Sequence, residues 1–222
     1  LSIEILVKKI LSLIISSIFL FSVSSAEEKF VFDFTENELS ELEVRKVRGA
    51  DAKTIYTTGK NENGNYLKAV ADNAASGLGK EIIIDLDDTP FINITWKVEK
   101  DLKGIKENTK KGHDFAARVF VIKKTGATPL SNRAINYVYS SNLNIGEYKP
   151  SPYTKKSIDY VLSSTKSNFD EWVTVKANVK EDFKKLHDLD VKDLDGVAIM
   201  ADTDNSKMKA ISYYQNIFFS SE

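Results

Sequence analysis

Cysteine does not occur in this 222-residue chain, so it has no disulfide, no thiolate metal site and no cysteine nucleophile. Histidine occurs only twice, at His113 and His187, too few for a zinc site on their own. Neither sign of charge prevails. The 31 basic and 32 acidic residues leave a net charge of −1, which argues against nucleic acid or an anionic membrane surface as partner. The sequence has no Gly-x-Ser-x-Gly elbow, phosphate-binding glycine loop or zinc motif. No apolar run reaches the ~20 residues that cross a bilayer comfortably. Internal repeats, heptads and a low-complexity tail are also missing.

The N-terminal residues follow a different rule from the rest. Lys8-Lys9 precede an apolar run, Ile10 to Val23, interrupted only by serines, and Ser24-Ser25-Ala26 lead into polar Glu27-Glu28-Lys29. A basic start, a short apolar stretch and a small-residue cleavage site make a secretory signal. The expectation is therefore a signal peptide over 1–26, cleavage after Ala26, and a single domain over 27–222. Its location would be the periplasm or the cell exterior, with no membrane association after cleavage. With no cysteine after the apolar stretch, a lipid anchor is excluded. The competing reading keeps the segment as an uncleaved anchor.

Beyond that point strand patterns dominate. Phe91 to Val98 alternates strictly, with Ile92, Ile94, Trp96 and Val98 on one face, the mark of a half-buried strand. Similar alternation covers Glu81 to Leu86 and Trp172 to Val179. Ser157 to Ser163, Ala134 to Ser140 and Ala210 to Phe219 are rich in β-formers, and Phe30 to Phe34 and Leu42 to Val47 are expected as the first strands. Phe115 to Ile122 and Val197 to Ala201 are apolar on both faces, as strands in the middle of a covered sheet are. Turn signals fall between them, among them Asn61-Glu-Asn-Gly64, Asp87-Asp88-Thr-Pro90 and Lys149-Pro-Ser-Pro152. The lysine-rich stretch Glu99 to Gly112 reads as a solvated loop, and Lys180 to Leu189 as one short helix. About ten short strands and one helix predict a mostly-β chain folded as a jelly-roll-like β-sandwich.

Candidate site residues emerge from misfits in this pattern. Arg118 shares an apolar strand face with Ala116, Phe120 and Ile122, so it must find acceptors, and Asp114, Asp202 and Asp204 are the candidates. Asn136 is a second polar group on an apolar strand. The loop Asp202-Thr-Asp204-Asn205 spaces oxygens as a calcium ion requires. The EF-hand pattern fails there, with Lys207 at its glycine position and Tyr213 at its bidentate glutamate. A turn capped by its own side chains is the alternative to a structural calcium at Asp202 and Asp204. Trp172, Tyr148 and Tyr153 are aromatics able to stack on sugar rings. Of the two histidines, His187 is expected at the surface, and His113, in Lys-Gly-His-Asp, in a loop entering a strand.

Several segments, in order, resemble a bacterial exported family of unknown function, the domain of unknown function numbered 3047. They are Ala74-Ala-Ser-Gly-Leu78, Ile94-Thr-Trp-Lys-Val98, Gly112-His-Asp-Phe-Ala-Ala-Arg-Val-Phe120, Ala134-Ile-Asn-Tyr-Val-Tyr139, Trp172-Val173 with Asn178-Val179, Gly196 to Asn205, and Ala210 to Phe218. His113 departs from an expected acidic residue and Asn216 from an expected Asp. The resemblance transfers a description and no activity. The closing Tyr-x-Asn-Ile-x-Phe and the opening Phe30-Val-Phe-Asp-Phe34 also look like strands of carbohydrate-binding jelly rolls.

The first functional expectation is a non-catalytic binding domain for a glycan or small polar ligand, with Lys97, Arg118, Asn136, Asp202, Asp204, Asn205 and Tyr214 in or near its site. The second is a hydrolase using Asp114, Asp202 and Asp204 as acid and base. The third is a structural or assembly protein without a ligand. The sequence assigns no oligomeric state.

Overall fold

Period-two patterning places the strands, and polar turns separate them. The computed structural model describes residues 27–222, so the expected signal segment 1–26 lies outside the described residues. In chain order the elements are β1 (Glu28–Phe30), α1 (Glu36–Glu41), β2 (Val44–Lys46), β3 (Ile55–Asn61), β4 (Gly64–Asp72), β5 (Ala75–Asp85), β6 (Phe91–Lys100), β7 (Ala117–Lys123), β8 (Arg133–Ser140), β9 (Tyr148–Ser151), β10 (Thr154–Ser164), β11 (Val173–Asn178), α2 (Val179–His187), β12 (Asp193–Asp202) and β13 (Lys209–Ser220).

The strands form two sheets. One has the order β11-β6-β13-β4-β3, with β1 also pairing β13, and the other has the order β2-β5-β12-β7-β8-β10-β9. Their facing sides make one apolar core. Ile92, Ile94, Trp96 and Val98 come from β6, and Val119, Val121, Ile135, Tyr137 and Tyr139 oppose them from β7 and β8. Trp96 is fully buried, and its indole N–H donates to Ser163 Oγ at 2.8 Å, which satisfies its one polar atom. The sequence patterning anticipates β2, β5 to β8 and β10 to β13 and misses β3 and β4, and the two strands apolar on both faces, β7 and β12, lie side by side in the middle of the seven-stranded sheet.

Three local expectations need correction, and one strand pairing adds to them. The first strand stops at Phe30, because Glu38 Oε2 accepts from the backbone N–H groups of Asp33 and Phe34, at 2.9 Å each, and Thr35 caps α1. That knot turns the chain and stacks Phe32 on Phe34 in the core. The 149–152 turn signal lies instead mainly in β9, an edge strand that tolerates Pro150 because it pairs only with β10. Stretch 99–112 is not simply solvated, since Leu102 and Glu107 within it are buried. Glu107 Oε1 accepts from Ser141 N at 2.7 Å, and Oε2 accepts from the Ser140 hydroxyl. Finally, β8 and β10 run parallel in an otherwise antiparallel sandwich.

The expected helix forms as α2, with the Asn178 side chain accepting from Glu181 N at 3.1 Å and Asp188 closing it in the left-handed region. Phe183 anchors it in the core.

Candidate functional site

The outer face of the seven-stranded sheet carries the residues that alternation points away from the core. In register across it, Met200 on β12 faces Arg118 on β7, and Phe120 on β7 faces Asn136 on β8, which faces Asp159 on β10. Loops 47–54, 101–116 and 203–208 rise around this row and leave a cleft of about 340 Å³. Phe120, Met200 and Val47 give it apolar surface, while Tyr153, Thr154, Ser157 and Arg48 stand around it.

Arg118 is 3 % exposed. Its Nε and Nη2 donate to the two carboxylate oxygens of Asp202 at 2.8 and 2.6 Å, and Nη2 also donates to the His113 carbonyl at 2.8 Å. The guanidinium lies 4.5 Å from the Phe115 ring centroid. Nη1 makes no hydrogen bond among the described residues. The nearest carboxylate oxygen to it is Asp159 Oδ1 at 3.9 Å, and Nη1 opens on the cleft that Arg118 lines. Burial disfavours the charged guanidinium, but Asp202 and Asp159 outweigh that and raise its pKa further.

A second polar group sits beside it. His113 Nε2 meets Asp159 Oδ2 at 2.6 Å, and Asn136 Nδ2 donates to Asp159 Oδ1 at 2.7 Å. Burial lowers the imidazole pKa, with Arg118 adding to the effect and Asp159 opposing it. Burial also works against the Asp159 carboxylate, but the His113 hydrogen bond and the Arg118 charge hold its pKa below the usual range. The pair is therefore a neutral imidazole and a carboxylate, and since the carboxylate only accepts, Nε2 carries the proton.

The acidic loop answers the calcium question. One oxygen each from Asp114, Asp202 and Asp204 lie within 4.8 Å of one another. Both Asp202 oxygens are held by Arg118, and Oδ1 accepts from Phe115 N as well. Asp114 spends its oxygens on Asn205 N, Asn205 Nδ2 and Ser206 N, at 3.2, 2.8 and 2.6 Å. These donors make Asp114 and Asp202 parts of a turn capped by its own side chains, the alternative to a structural calcium at Asp202 and Asp204. Engaged in this way, Asp202 and Asp114 are also poorly placed to act as acid and base.

Of the site residues expected from sequence, Arg118, Asn136, Asp202, Asp204 and Asn205 come together here. Lys97 does not. It lies on β6 in the other sheet, paired with Asp170 at 2.8 Å and stacked over Tyr213. Tyr214 does not face the cleft either. Its ring is buried between the sheets, where its hydroxyl accepts from Arg118 N at 3.0 Å and donates to Met200 O at 2.7 Å. Among the aromatics proposed for stacking only Tyr153 lines the cleft. Trp172 packs on Tyr66 and Tyr213, and Tyr148 on Tyr160. His187 is half-buried, not at the surface, with Nε2 against Ala134 O at 3.0 Å. Asn216 sits exposed in the β13 bulge with φ 47°, a conformation Asn and Asp both tolerate, and takes no part in the acidic cluster. Sequence reading missed Asp159, which pairs with His113 across 46 residues. Its one signal was an acid amid the β-formers of Ser157 to Ser163.

The two-sheet architecture is that of a jelly-roll β-sandwich. By its sequence the chain belongs to the family described as "Protein of unknown function (DUF3047)", matched over residues 40–218. The curated proteins offer no sequence match. In fold it is similar to the family 30 carbohydrate-binding module of the cellulosomal cellulase Cel9D-Cel44B of Clostridium thermocellum. That likeness has a TM-score of 0.50 at 8 % identity and covers 88 % of this chain and 98 % of the module. Endoglucanase 3 of Trichoderma harzianum, from family GH12, aligns with a TM-score of 0.43 at 8 % identity over 89 % of this chain and 98 % of its own.

Proposed function

We propose that this protein is a non-catalytic binding domain that takes a glycan or similar small polar ligand in the cleft on its seven-stranded sheet. One observation carries the reading: the guanidinium of Arg118 is fixed on two sides by Asp202 and the His113 carbonyl, and its Nη1 opens on the cleft without a protein acceptor. A donor held this rigidly offers a hydrogen bond to a hydroxyl or carbonyl at little entropic cost. Phe120, Met200 and the half-exposed Tyr153 ring offer apolar surface for the C–H face of a sugar. The likeness in fold to a carbohydrate-binding module makes glycans the first ligands to try. We propose further that the domain works outside the cytoplasm, delivered by the signal segment read at 1–26.

A glycan array spanning neutral, amino and acidic sugars, followed by calorimetry, tests the proposal. Tyr153→Ala should weaken the selected glycan roughly tenfold, if the ring contributes about 1 kcal/mol of stacking. An array without a hit, or a hit indifferent to Tyr153→Ala and to Ser157→Phe, which fills the cleft, would dismiss the reading.

A further inference from the structure

We infer that the cleft prefers an amino sugar, a glycan carrying a protonated amine, over neutral sugars and over uronic or phosphorylated ones. The inference rests on the glycan reading above. It begins with charge. Two arginines, Arg48 and Arg118, and two carboxylates, Asp202 and Asp204, line the cleft, with Asp159 Oδ1 3.9 Å from Arg118 Nη1 and an Asp114 oxygen within 4.8 Å of oxygens of Asp202 and Asp204. Arg118 is already neutralised by its two-pronged bond to Asp202. Arg48 is exposed at the rim, where solvent and salt weaken it. His113 is neutral and adds nothing. Lys110 stacks over Tyr153 at 5.9 Å outside the cleft lining.

Asp204 is the carboxylate with capacity to spare. It is half-buried and lines the cleft, and its one side-chain contact is a long one, Asn205 Nδ2 at 3.5 Å. Asp114 and Asp202, by contrast, have both oxygens engaged. The cleft thus offers a ligand one fixed neutral-paired donor, Arg118 Nη1, and one open anionic acceptor, Asp204. A sugar hydroxyl satisfies the first and an ammonium the second. A uronate or phosphate that approached Nη1 would meet Asp159 Oδ1 beside it and Asp204 in the same cleft, and the one cation without an acid partner there is the solvent-exposed Arg48 at the rim.

Calorimetry on three oligomers of equal length and of the linkage the array selects decides the matter: one of glucosamine, one of glucose and one of glucuronic acid. The glucosamine oligomer should bind on the order of tenfold tighter than the glucose oligomer, through one charge-assisted contact, and the glucuronic acid oligomer should bind weakest. Asp204→Asn should bring the glucosamine oligomer down to the affinity of the glucose oligomer, with an unchanged urea unfolding midpoint as the control that the variant is folded. Should Asp204→Asn fold poorly, the ranking of the three oligomers on the native protein decides alone. Equal or tighter binding of the glucuronic acid oligomer, or an amine preference that survives Asp204→Asn, overturns the inference and leaves the glycan reading standing. Binding of none of the three overturns the inference, and an array without a hit overturns the glycan reading with it.

Discussion

A buried arginine on a sheet face is tolerable only when its acceptors are built around it, and Arg118 has them in Asp202 and the His113 carbonyl. Removing one partner of such a pair strands the other. Arg118→Met should therefore cost about 3–5 kcal/mol, as an uncompensated Asp202 carboxylate is left in the interior. Replacing both, as Arg118→Met with Asp202→Leu, should return much of that loss, because apolar groups of similar size leave no orphaned charge. Urea unfolding of the two variants checks this. Near-native stability of Arg118→Met would show the pair to be idle. The imidazole beside it gives a pH signature. Burial sets the folded pKa of His113 below its ordinary 6.5, so on acidification the unfolded chain takes up this proton first. Stability contributed by the neutral imidazole is whole above pH 6.5 and drains as pH falls from there towards the folded pKa. His113→Gln cannot take up that proton. Wild type should thus lose stability relative to this variant as pH falls below about 6.5, and parallel stability curves would refute the assignment.

At the scale of elements, strands were legible where one face is wet and the other dry, because alternation then writes the burial into the sequence. Ile92, Ile94, Trp96 and Val98 announced β6 in this way, and the doubly apolar β7 and β12 announced the sheet centre. The 101–116 loop was not legible. Its four lysines advertise solvent, while a buried acid bonded to the turn after β8 helps fix it, together with Leu102 N on Ser141 Oγ and Gly104 N on Asn142 Oδ1. Glu107 is 1 % exposed, and its carboxylate takes the Ser140 hydroxyl, Ser141 N and Asn142 Nδ2. A buried carboxylate satisfied by a distant turn leaves no periodic trace. Glu107→Ala leaves Ser141 N without its acceptor and should cost about 1–3 kcal/mol. It should also release the loop that carries His113 into the cleft, and trypsin should then cut at Lys103, Lys106, Lys110 or Lys111 well before the sandwich unfolds. Resistance equal to that of wild type would mean that the bonds of Leu102 and Gly104 to Ser141 and Asn142 hold the loop without Glu107.

On the scale of the whole molecule, the site lies on the face the core does not use, which is why half of it was readable. Arg118 and Asn136 stood out as polar groups on apolar strands, and Asp202–Asn205 as a cluster within ten residues of β13. Tyr153 was read as an aromatic able to stack, while Phe120 and Met200 carried no such contrast, and Asp159 and His113 meet only through the parallel pairing of β8 with β10, a crossover that local patterning does not encode. Lys97 and Tyr214 were misplaced for the same reason: assigning them to a face requires the sheet order as well as the period. The same architecture bears on the cleavage site proposed after Ala26. Glu27 N donates to Ser221 Oγ at 3.2 Å, Ser221 N donates to Glu27 O at 3.1 Å, and β1 follows at once, pairing Glu28 with Ser220. Cleavage after Ala26 leaves β1 and its pairing with β13 in place, whereas cleavage four residues later would delete β1 and uncover Phe218 and Phe219 on β13. We therefore expect N-terminal sequencing of the exported protein to begin at Glu27, and we expect a form that starts at Val31 to unfold at lower urea than one that starts at Glu27. A protein recovered from membranes with residues 1–26 attached, or one whose first residue lies inside β1, would contradict the assignment of that boundary.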